Sequence, residues 1–524
     1  MPIRVGGAVR GGVYPCLTAA AMVAACVPHA GAQPLNRAID GLIATHKLAG
    51  ARVAVSVVDL HTGATLASTR PDEAMIPASN MKLLTSGAAL EVLGGSFAFR
   101  TELLLSGDTV VIRGSGDPSL GDPAALERTE PRLGVADLLA RLARAVREAG
   151  VTRVSRVVVD DRVFDRERVH PTWDRADLVK SYAAEVSGVS FHGNFVSVFP
   201  APAPSGPGSP PVVAFEPEAP WIEFENKART GDKSGTSAWV LRSEHGDVFT
   251  LFGEVSARVT IDVSIHDAPI HAGRLIAAAL LDAGVSVGDA PAATGGRRPS
   301  TDQLRLAFPA VELAGDGERF DKTRTLAVVA APLDDVMLRC NTDSRNLYAE
   351  CLLKRVGHEV TREPGSWANG ASVVRMKLAE RLGPEFAAGA VVADGSGLSR
   401  DNRVSARTFT RWLAAMAESD HARAYLASLA TPGQGTLRRR FRGMSMQNDL
   451  YAKSGSIEGV RCLSGYVVNP KTDRRIAFSI LVNDLPSGQN GAALKLHEQV
   501  IGEIDQWLSA AAGVTAGAPE DHGR

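Results

Sequence analysis

The hydrophobic and polar positions near the start of the chain predict a helix, two strands and a second helix. Apolar residues recur at helical spacing over residues 35–47, and β-branched runs follow at 51–60 and 65–68, separated by a His-Thr-Gly turn. A second helical pattern begins near Ser79 and ends at a Gly-Gly pair. This order predicts that a sheet begins here and that Ser79 lies in the first turns of a helix.

The pattern changes between about residues 99 and 301, where short β-branched runs alternate with turns. Examples are residues 109–113, which lead into a Gly-Ser-Gly-Asp-Pro turn, and residues 157–160. Residues 199–220 are dense in Pro with interspersed Ala, Gly and Ser, a composition that favours an extended linker or an exposed loop. We therefore expect a β-rich insertion with a subdomain boundary near this segment.

Helical patterns return beyond about residue 323 and are followed by further strands. In order, the predicted elements are helices at 333–339, 347–356 and 371–382, strands at 460–468 and 475–482, and a helix at 492–507. The Ala- and Gly-rich end from residue 510 is predicted to be a frayed tail. The β-rich region therefore lies between two regions that contain helices.

The first 32 residues have the pattern of a secretory signal peptide. Arg4 and Arg10 precede an apolar stretch, and Ala30-Gly31-Ala32 resembles a small-residue cleavage site. The apolar stretch is too short and too broken by Pro to span a bilayer. The alternative is a lipoprotein box that ends at Cys26, which would leave that residue lipidated and associate the protein weakly with a membrane. We expect an exported, periplasmic protein.

Composition and charge exclude several other functions. The chain has 524 residues with 45% hydrophobic content, enough for more than one domain. Its 57 basic and 58 acidic residues nearly balance, so we expect no nucleic-acid partner. Beyond the leader, Cys340, Cys351 and Cys462 are too few for a disulfide framework, and a core role is predicted for them. His and Cys spacings match no zinc pattern, so we expect no metal and no cofactor. The oligomeric state stays unknown.

Ser79 and Lys82 form a candidate nucleophile and base. Their i, i+3 spacing puts both side chains on one face of a helix. A serine hydroxyl needs a neighbour to accept its proton, and a lysine can do this when burial or adjacent positive charge lowers its pKa. Only eleven residues are Lys, which makes the pair informative, but Ser-x-x-Lys taken alone is weak evidence and more often marks an exposed helical pair.

A second candidate element is Ser344-Arg345-Asn346. Its hydroxyl can pass a proton to a leaving group, and its Asn amide can hold a substrate carbonyl while orienting the lysine. The alternative is an ordinary helix start, with Ser344 next to capping partners.

A third element is Lys453-Ser454-Gly455, followed by Ser456 and a strand. A cation and a hydroxyl on an edge strand can bind a substrate carboxylate, and the glycine allows close approach of backbone. A similar Lys-Ser-Gly run at residues 233–235 lies in a polar turn upstream of Ser344, and we reject it as the active triplet.

The three elements occur in the order S-x-x-K, S-x-N and K-S-G, which matches the penicillin-binding signature. The chain resembles the class C low-molecular-mass penicillin-binding proteins, which are D-alanyl-D-alanine carboxypeptidases and endopeptidases. The long gap between Lys82 and Ser344 fits the two inserted domains of that family. Further matching segments are residues 114–118, 160–164, 341–350, 394–400 and 435–437.

The resemblance implies an α/β (α+β) penicillin-binding, serine β-lactamase-like transpeptidase fold with a large β-rich insertion that forms two further domains. The implied divisions are a signal peptide at 1–32, a split catalytic domain at 33–98 and 306–512, inserted domain II at 99–185 and 268–305, inserted domain III at 186–267, and a flexible tail at 513–524.

The resemblance also implies a serine-type D-alanyl-D-alanine carboxypeptidase and DD-endopeptidase that acts on peptidoglycan peptides. Ser79 attacks the carbonyl between two D-alanines, Lys82 takes its proton, and Ser344 helps to protonate the departing residue. Asn346 orients the lysine and the substrate. Water then hydrolyses the acyl-enzyme, and β-lactam antibiotics inhibit by acylating Ser79.

In the same family pattern, Lys453 and Ser454 hold the terminal carboxylate, Gly455 admits the substrate backbone, and the amides of Ser79 and Ser456 bind the oxyanion. Two departures occur. Ser454 stands where the family usually has Thr, which keeps the hydroxyl. Arg345 stands where the family often has Asp or Asn, which either adds positive charge near the site or points to solvent.

Two alternatives stay open at this point. One is a β-lactamase or serine esterase of the same superfamily, which the length of the insertion disfavours. The other is a non-catalytic cell-wall binding protein, which the complete set of candidate catalytic residues disfavours.

Overall fold

A computed structural model describes residues 32–46, 48, 50–232, 235–243, 246–295 and 297–515. Residues 1–31 of the predicted signal peptide, including Cys26, lie outside the described residues, as do residues 516–524 of the predicted tail and two residues of the rejected Lys-Ser-Gly run.

The described residues contain helices and strands throughout. The helices are α1 (Ala32–His46), α2 (Met81–Leu93), α3 (Pro123–Leu126), α4 (Val135–Glu148), α5 (Ala268–Asp282), α6 (Thr301–Ala307), α7 (Leu333–Asn341), α8 (Asn346–Thr361), α9 (Trp367–Leu382), α10 (Pro384–Ala388), α11 (Ala406–Ala417), α12 (Ala422–Ala427) and α13 (Asn490–Thr515). The strands are β1 (Arg52–Asp59), β2 (Thr65–Thr69), β3 (Ala98–Ser106), β4 (Thr109–Gly114), β5 (Arg153–Val154), β6 (Arg156–Asp160), β7 (Phe195–Ala201), β8 (Val212–Glu216), β9 (Glu223–Asn226), β10 (Arg229–Thr230), β11 (Trp239–Arg242), β12 (Val248–Phe252), β13 (Glu254–Val255), β14 (Ile261–Ser264), β15 (Ser286–Val287), β16 (Val311–Leu313), β17 (Arg324–Pro332), β18 (Asp449–Ile457), β19 (Val460–Val468) and β20 (Arg475–Asn483).

A five-stranded antiparallel sheet joins the two ends of the chain in the order β18-β19-β20-β1-β2. Its central strands β19, β20 and β1 are buried along almost their whole length, because helices cover both faces. Strands covered on both faces need near-continuous apolar sequence, and the Val- and Ile-rich runs supply it. On one face, α1 and α13 pack through Leu35, Ile39 and Ile504.

A helical layer covers the other face of this sheet and contains the largest hydrophobic core of the described chain. Helix α2 lies at its centre, with ten consecutive residues buried from Met81 to Leu90. It packs against α7, α8, α9 and α11. A helix with apolar residues on all sides is stable only inside such a core.

The insertion between α2 and α7 contains a second five-stranded sheet in the order β16-β6-β4-β3-β17, and helices α4 and α5 pack with it in one core. The two helices were not expected in a β-rich region. In α4 the buried residues Val135, Leu138, Leu142 and Val146 recur at intervals of three or four, the spacing of a helix with one buried face. Two three-stranded sheets, β14-β7-β8 and β11-β12-β9, form a smaller core within the insertion.

Two expectations about the insertion are wrong. Strand β16 pairs with β6 and β17 pairs with β3, so the inserted sheet continues to Pro332 and the catalytic segment does not resume at residue 306. The segment 199–220, expected as an extended linker or an exposed loop, instead includes the antiparallel pair β7 and β8, in which Ala201 lies opposite Val212, and only residues 202–211 form a loop. Its Pro-dense composition belongs to the loop between these strands, because Pro cannot donate to a strand ladder.

Several other expectations are confirmed. The predicted later helices correspond to α7, α8, α9 and α13, although α13 continues to Thr515. Cys340, Cys351 and Cys462 are buried free thiols. Within the described ranges, no helix has the length and apolar character needed to cross a membrane.

Candidate active site

Ser79 lies in the short 3-10 turn Ala78–Asn80, directly before α2 rather than inside its first turns. The turn is fixed from two sides. The Asn80 backbone amide donates to the Pro77 carbonyl at 3.1 Å, and the Asn80 side-chain amide donates to Ser464 Oγ on β19 at 2.6 Å. Ser79 is therefore held between the central helix and the sheet, and its side chain is only half-buried.

Lys82 is the second residue of α2 and is fully buried. Its Nζ donates to three acceptors: Ser79 Oγ at 3.1 Å, Asn346 Oδ1 at 2.7 Å and the Ser396 carbonyl at 2.9 Å. The sequence pair Ser79 and Lys82 is thus a direct hydrogen-bonded contact, and three acceptors use the three donors of the ammonium form.

Burial lowers the pKa of Lys82 to about 8, against the opposing effect of nearby acidic groups that include Glu350 and Asp394. A lysine with this pKa is unprotonated in a large fraction of molecules at slightly alkaline pH. Lys82 can therefore accept the proton of the neighbouring serine hydroxyl.

Ser344 occupies the tight turn between α7 and α8 in a left-handed conformation, with φ of 60°. It is not the cap of α8, because Arg345 holds the N-cap position. Lys453 Nζ donates to Ser344 Oγ at 2.8 Å and to the Ser454 carbonyl at 2.8 Å. Lys453 is fully buried, and burial, followed by the charge of Lys82, lowers its pKa well below the usual value.

The turn that carries Ser344 is anchored to the insertion. Arg339 donates to Asp343 Oδ2 at 2.5 Å and to Asp122 Oδ2 at 2.9 Å, and Tyr348 donates its hydroxyl to Asp122 at 2.5 Å. Burial opposes the charge of Asp122, but the Arg339 guanidinium and these hydrogen bonds hold the pKa of its carboxyl below the usual value. A loop of the inserted domain thus positions one side of the site.

Asn346 connects the base to the insertion through its two amide atoms. Its Oδ1 accepts from Lys82, and its Nδ2 donates to the Tyr182 carbonyl at 2.8 Å. The donor on one side and the acceptor on the other fix the orientation of the amide. Tyr182 itself is 45% exposed and donates its hydroxyl to Asp177 at 2.6 Å.

The Lys-Ser-Gly triplet lies on β18, an edge strand of the five-stranded sheet β18-β19-β20-β1-β2. A Cβ at Gly455 would lie 2.8 Å from the Pro77 carbonyl and 3.1 Å from the Ser79 amide nitrogen, so only glycine fits here. Ser454 is half-buried and Ser456 is exposed. The backbone of β18 therefore runs beside the nucleophile, with hydroxyl side chains available to a bound molecule.

Arg345, the departure in the second motif, directly follows Ser344 and is half-buried, so its side chain does not simply extend into solvent. Its guanidinium lies over the ring of Phe195 at 5.2 Å from the ring centre. Phe195 belongs to β7 of the insertion. The arginine therefore joins the catalytic domain to strand β7 of the insertion through a cation–π contact.

Sequence reasoning missed four residues that touch this network: Asp122, Tyr182, Glu350 and Ser396. The last two lie in segments that matched the family pattern, and Glu350 follows Asn346 by four residues, on the same face of α8. Asp122 and Tyr182 are far from the motifs in sequence, and the chain carries no signal for them. In the parts of the chain that the structure describes, no group of His, Cys, Asp and Glu is placed to hold a metal ion.

The sequence matches the D-Ala-D-Ala carboxypeptidase 3 (S13) family over residues 35–304 and 312–508. It is 33% identical to a D-alanyl-D-alanine carboxypeptidase of Actinomadura sp. (strain R39), over 88% of this chain and 82% of that protein. It is also 27% identical to a carboxypeptidase of Mycobacterium tuberculosis, over 84% of this chain and 78% of that protein.

The fold resembles the crystal structure of penicillin-binding protein 4 from Haemophilus influenzae, with a TM-score of 0.70 and 20% identity over 89% of this chain and 99% of that one. A second structure of the same protein, in complex with a β-lactam, gives a TM-score of 0.64 over the same shares of the two chains. The expected fold class is confirmed by this similarity.

Proposed function

Since the chain belongs to the D-Ala-D-Ala carboxypeptidase 3 (S13) family, we propose that it is a serine-type D-alanyl-D-alanine carboxypeptidase and DD-endopeptidase that acts through an acyl-enzyme on Ser79. The observation that carries this proposal is the 3.1 Å contact between Lys82 Nζ and Ser79 Oγ inside a buried site. The other residues are assigned from their contacts with this pair.

In the first step, Ser79 Oγ attacks the carbonyl carbon of the penultimate D-alanine. Lys82 accepts the hydroxyl proton, the peptide C–N bond breaks, and the nitrogen of the departing D-alanine gains a proton. Ser344 relays that proton: its hydroxyl donates to the nitrogen and takes back the proton that Lys82 accepted, so Lys82 returns to the neutral amine. The hydrogen bond from Lys453 to Ser344 Oγ leaves the Ser344 hydroxyl hydrogen free to donate, which supports this role. The product is an ester on Ser79 and a free amine.

Oxyanion stabilisation comes from backbone amides beside the nucleophile. The amide of Ser79 and, on β18, that of Ser456 are assigned to this role, in which one donor is worth about 3 kcal/mol. The close approach of Gly455 to the Ser79 nitrogen supports the pairing of these two backbone segments. Water then hydrolyses the ester and restores the serine.

The terminal carboxylate of the substrate binds at β18. Ser454 contacts it directly, while the fully buried Lys453 supplies positive charge from its position beside Ser344. A bound carboxylate stabilises the ammonium form and raises the pKa of Lys453 toward its usual value. Asn346 holds the substrate carbonyl on the opposite side, in keeping with its fixed amide.

The substrates are peptidoglycan stem peptides that end in D-alanyl-D-alanine, and cross-links between such peptides. β-lactams mimic this terminus and acylate Ser79, and the β-lactam complex of the H. influenzae protein supports this assignment. We also propose export to the periplasm through residues 1–32, with lipidation at Cys26 as the alternative.

The test is D-alanine release from a soluble tripeptide that ends in D-alanyl-D-alanine, together with cleavage of cross-linked muropeptide dimers. Wild type and the control Ser487→Ala, an exposed serine outside the site, are expected to release D-alanine, whereas Ser79→Ala is expected to release none. Release by Ser79→Ala at the wild-type rate would disprove the nucleophile. Rapid hydrolysis of a β-lactam without D-alanine release would instead indicate a β-lactamase.

A further inference from the structure

A buried carboxylate lies beneath the loop that contacts the base. Glu350 on α8 is fully buried, and its Oε1 accepts from the Ser396 amide at 2.8 Å. Its Oε2 accepts from the Gly395 amide at 2.9 Å and from Trp367 Nε1 at 2.9 Å. All three partners are donors, so the ionised carboxylate is the form that satisfies every contact.

The Glu350 carboxylate binds Ser396, the residue whose carbonyl contacts Lys82. The amide of Ser396 donates to Glu350, and the carbonyl of Ser396 accepts from Lys82 Nζ at 2.9 Å. Glu350 therefore fixes the amide nitrogen of Ser396, which is bonded to the same Cα as the carbonyl that meets Lys82, and so limits how far that carbonyl can turn away from Nζ. Asn346 and Glu350 are four residues apart on α8, so one helix face holds Lys82 both directly and through the loop.

The rest of the loop has its own support. Asp394 accepts from the amides of Gly397 at 2.7 Å and Ser399 at 2.6 Å, and Asn402 donates to Asp394 at 2.8 Å. These contacts set the general shape of residues 394–399. Asp394 holds the Gly397 amide, which shares a planar peptide unit with the Ser396 carbonyl, whereas Glu350 holds the amide of Ser396 itself.

We infer that Glu350 is a positioning residue for Lys82: it holds the Ser396 carbonyl in place, and that carbonyl holds Lys82 Nζ against Ser79. This inference rests on the proposed role of Lys82 as the base.

The charge of Glu350 also acts on Lys82. The titratable groups that face Lys82 are Cys340 on α7, Glu350 on α8, Asp394 in the loop and Lys453 on β18. Among them, Cys340, Glu350 and Asp394 oppose the effect of burial, which lowers the pKa of Lys82 to about 8. Burial raises the pKa of Glu350 to about 7, while its three hydrogen-bond donors favour the ionised carboxylate.

Loss of the Glu350 charge should therefore change the pH profile of acylation in a way that loss of packing alone does not. Glu350→Gln removes a negative charge near Lys82, so the ammonium form is less stable and the pKa of Lys82 falls. The acid limb, which is the part of the pH profile where the acylation rate rises with pH, should then move to lower pH. At the same time the looser carbonyl should lower the plateau rate at high pH.

The experiment measures the second-order rate of acylation by benzylpenicillin from pH 5 to 10 in the full-length enzyme. For Glu350→Gln we expect an acid limb about 0.5 pH unit or more below that of wild type, and a plateau about 10-fold lower. Asn402→Ala is the matched control, because it loosens the same loop without removing a charge: its plateau should fall while its acid limb stays in place.

Glu350→Asp separates position from charge and serves where Glu350→Gln does not fold. It keeps the negative charge but withdraws it from the loop, so the acid limb should stay at the wild-type pH while the plateau falls. An unshifted limb in Glu350→Gln, or an unchanged plateau in Glu350→Asp, would overturn the inference. A wild-type profile with no limb near pH 8 would instead count against the proposed role of Lys82.

Discussion

At the scale of single residues, the site is governed by the cost of burying two lysines. Lys82 and Lys453 are both fully buried, and burial lowers the pKa of each. Neutral acceptors surround Lys82: a serine hydroxyl, an Asn carbonyl and a backbone carbonyl. With no carboxylate in direct contact, Lys82 can lose its proton at a pH at which a surface lysine cannot.

The first prediction concerns the pH dependence of acylation. Because Lys82 acts as a base only when unprotonated, the wild-type rate should rise with pH and level off above about pH 8. In Asn346→Asp a carboxylate replaces the amide oxygen that lies 2.7 Å from Nζ, which stabilises the ammonium form. The acid limb should therefore move to higher pH and the rate at pH 7 should fall about 10-fold. An unmoved limb in stopped-flow acylation would show that Lys82 does not control the profile.

At the scale of elements, the nucleophile turn and the loop at residues 394–399 fit each other through backbone. Ala78 has φ of 45° and Gly397 has φ of +83°, so both adopt the left-handed conformation where the two segments meet. A Cβ at Gly397 would lie 1.8 Å from the Ala78 carbonyl, much closer than any real contact. The loop thus acts as a template for the turn that presents Ser79.

The second prediction compares two glycines with the same backbone conformation. Gly397→Ala should displace the Ala78 carbonyl, lower the melting temperature by several degrees and reduce acylation at least about 100-fold. Gly488→Ala is the control, since its φ is +85° but a Cβ there meets nothing within 4 Å. Backbone strain should lower the free energy of unfolding of this control by only about 1–2 kcal/mol, and its activity should be kept. Equal acylation rates in the two variants would contradict the template role.

At the scale of the whole molecule, the catalytic domain is built from two distant segments and is braced by the region between them. The insertion contributes Asp122 to the Ser344 turn, the Tyr182 carbonyl to Asn346, and the Phe195 ring to Arg345. The inserted domains therefore touch the site itself.

The third prediction tests this bracing. Asp122→Ala leaves Arg339 without its buried partner, which should lower the free energy of unfolding by about 3 kcal/mol or more. The change also frees the turn that carries Ser344. Acylation and melting temperature should both fall. The control Asp72→Ala removes a surface ion pair with Arg407, which is worth about 1 kcal/mol or less. Retention of full acylation by Asp122→Ala would mean that the insertion does not position Ser344.

The sequence predicted those parts of the molecule that are local in the chain. Ser79 with Lys82, the Lys-Ser-Gly strand and the later helices each have a short pattern with a physical meaning. The apolar stripes of the helices in the insertion lie among short β-branched runs, so the pattern there does not separate helices from strands. The end of the inserted sheet cannot be predicted locally, because β17 pairs with a strand far away in sequence. Asp122 and Tyr182 reach the site through contacts between distant segments, and no local pattern reports such contacts.

The most direct test of the acyl-enzyme mechanism is the intact mass of the protein after incubation with benzylpenicillin, followed by peptide mapping. Wild type should gain the mass of one benzylpenicillin, located on Ser79, and Ser79→Ala should gain none. A missing adduct on wild type, or an adduct that persists in Ser79→Ala, would contradict the assignment of Ser79 as the nucleophile.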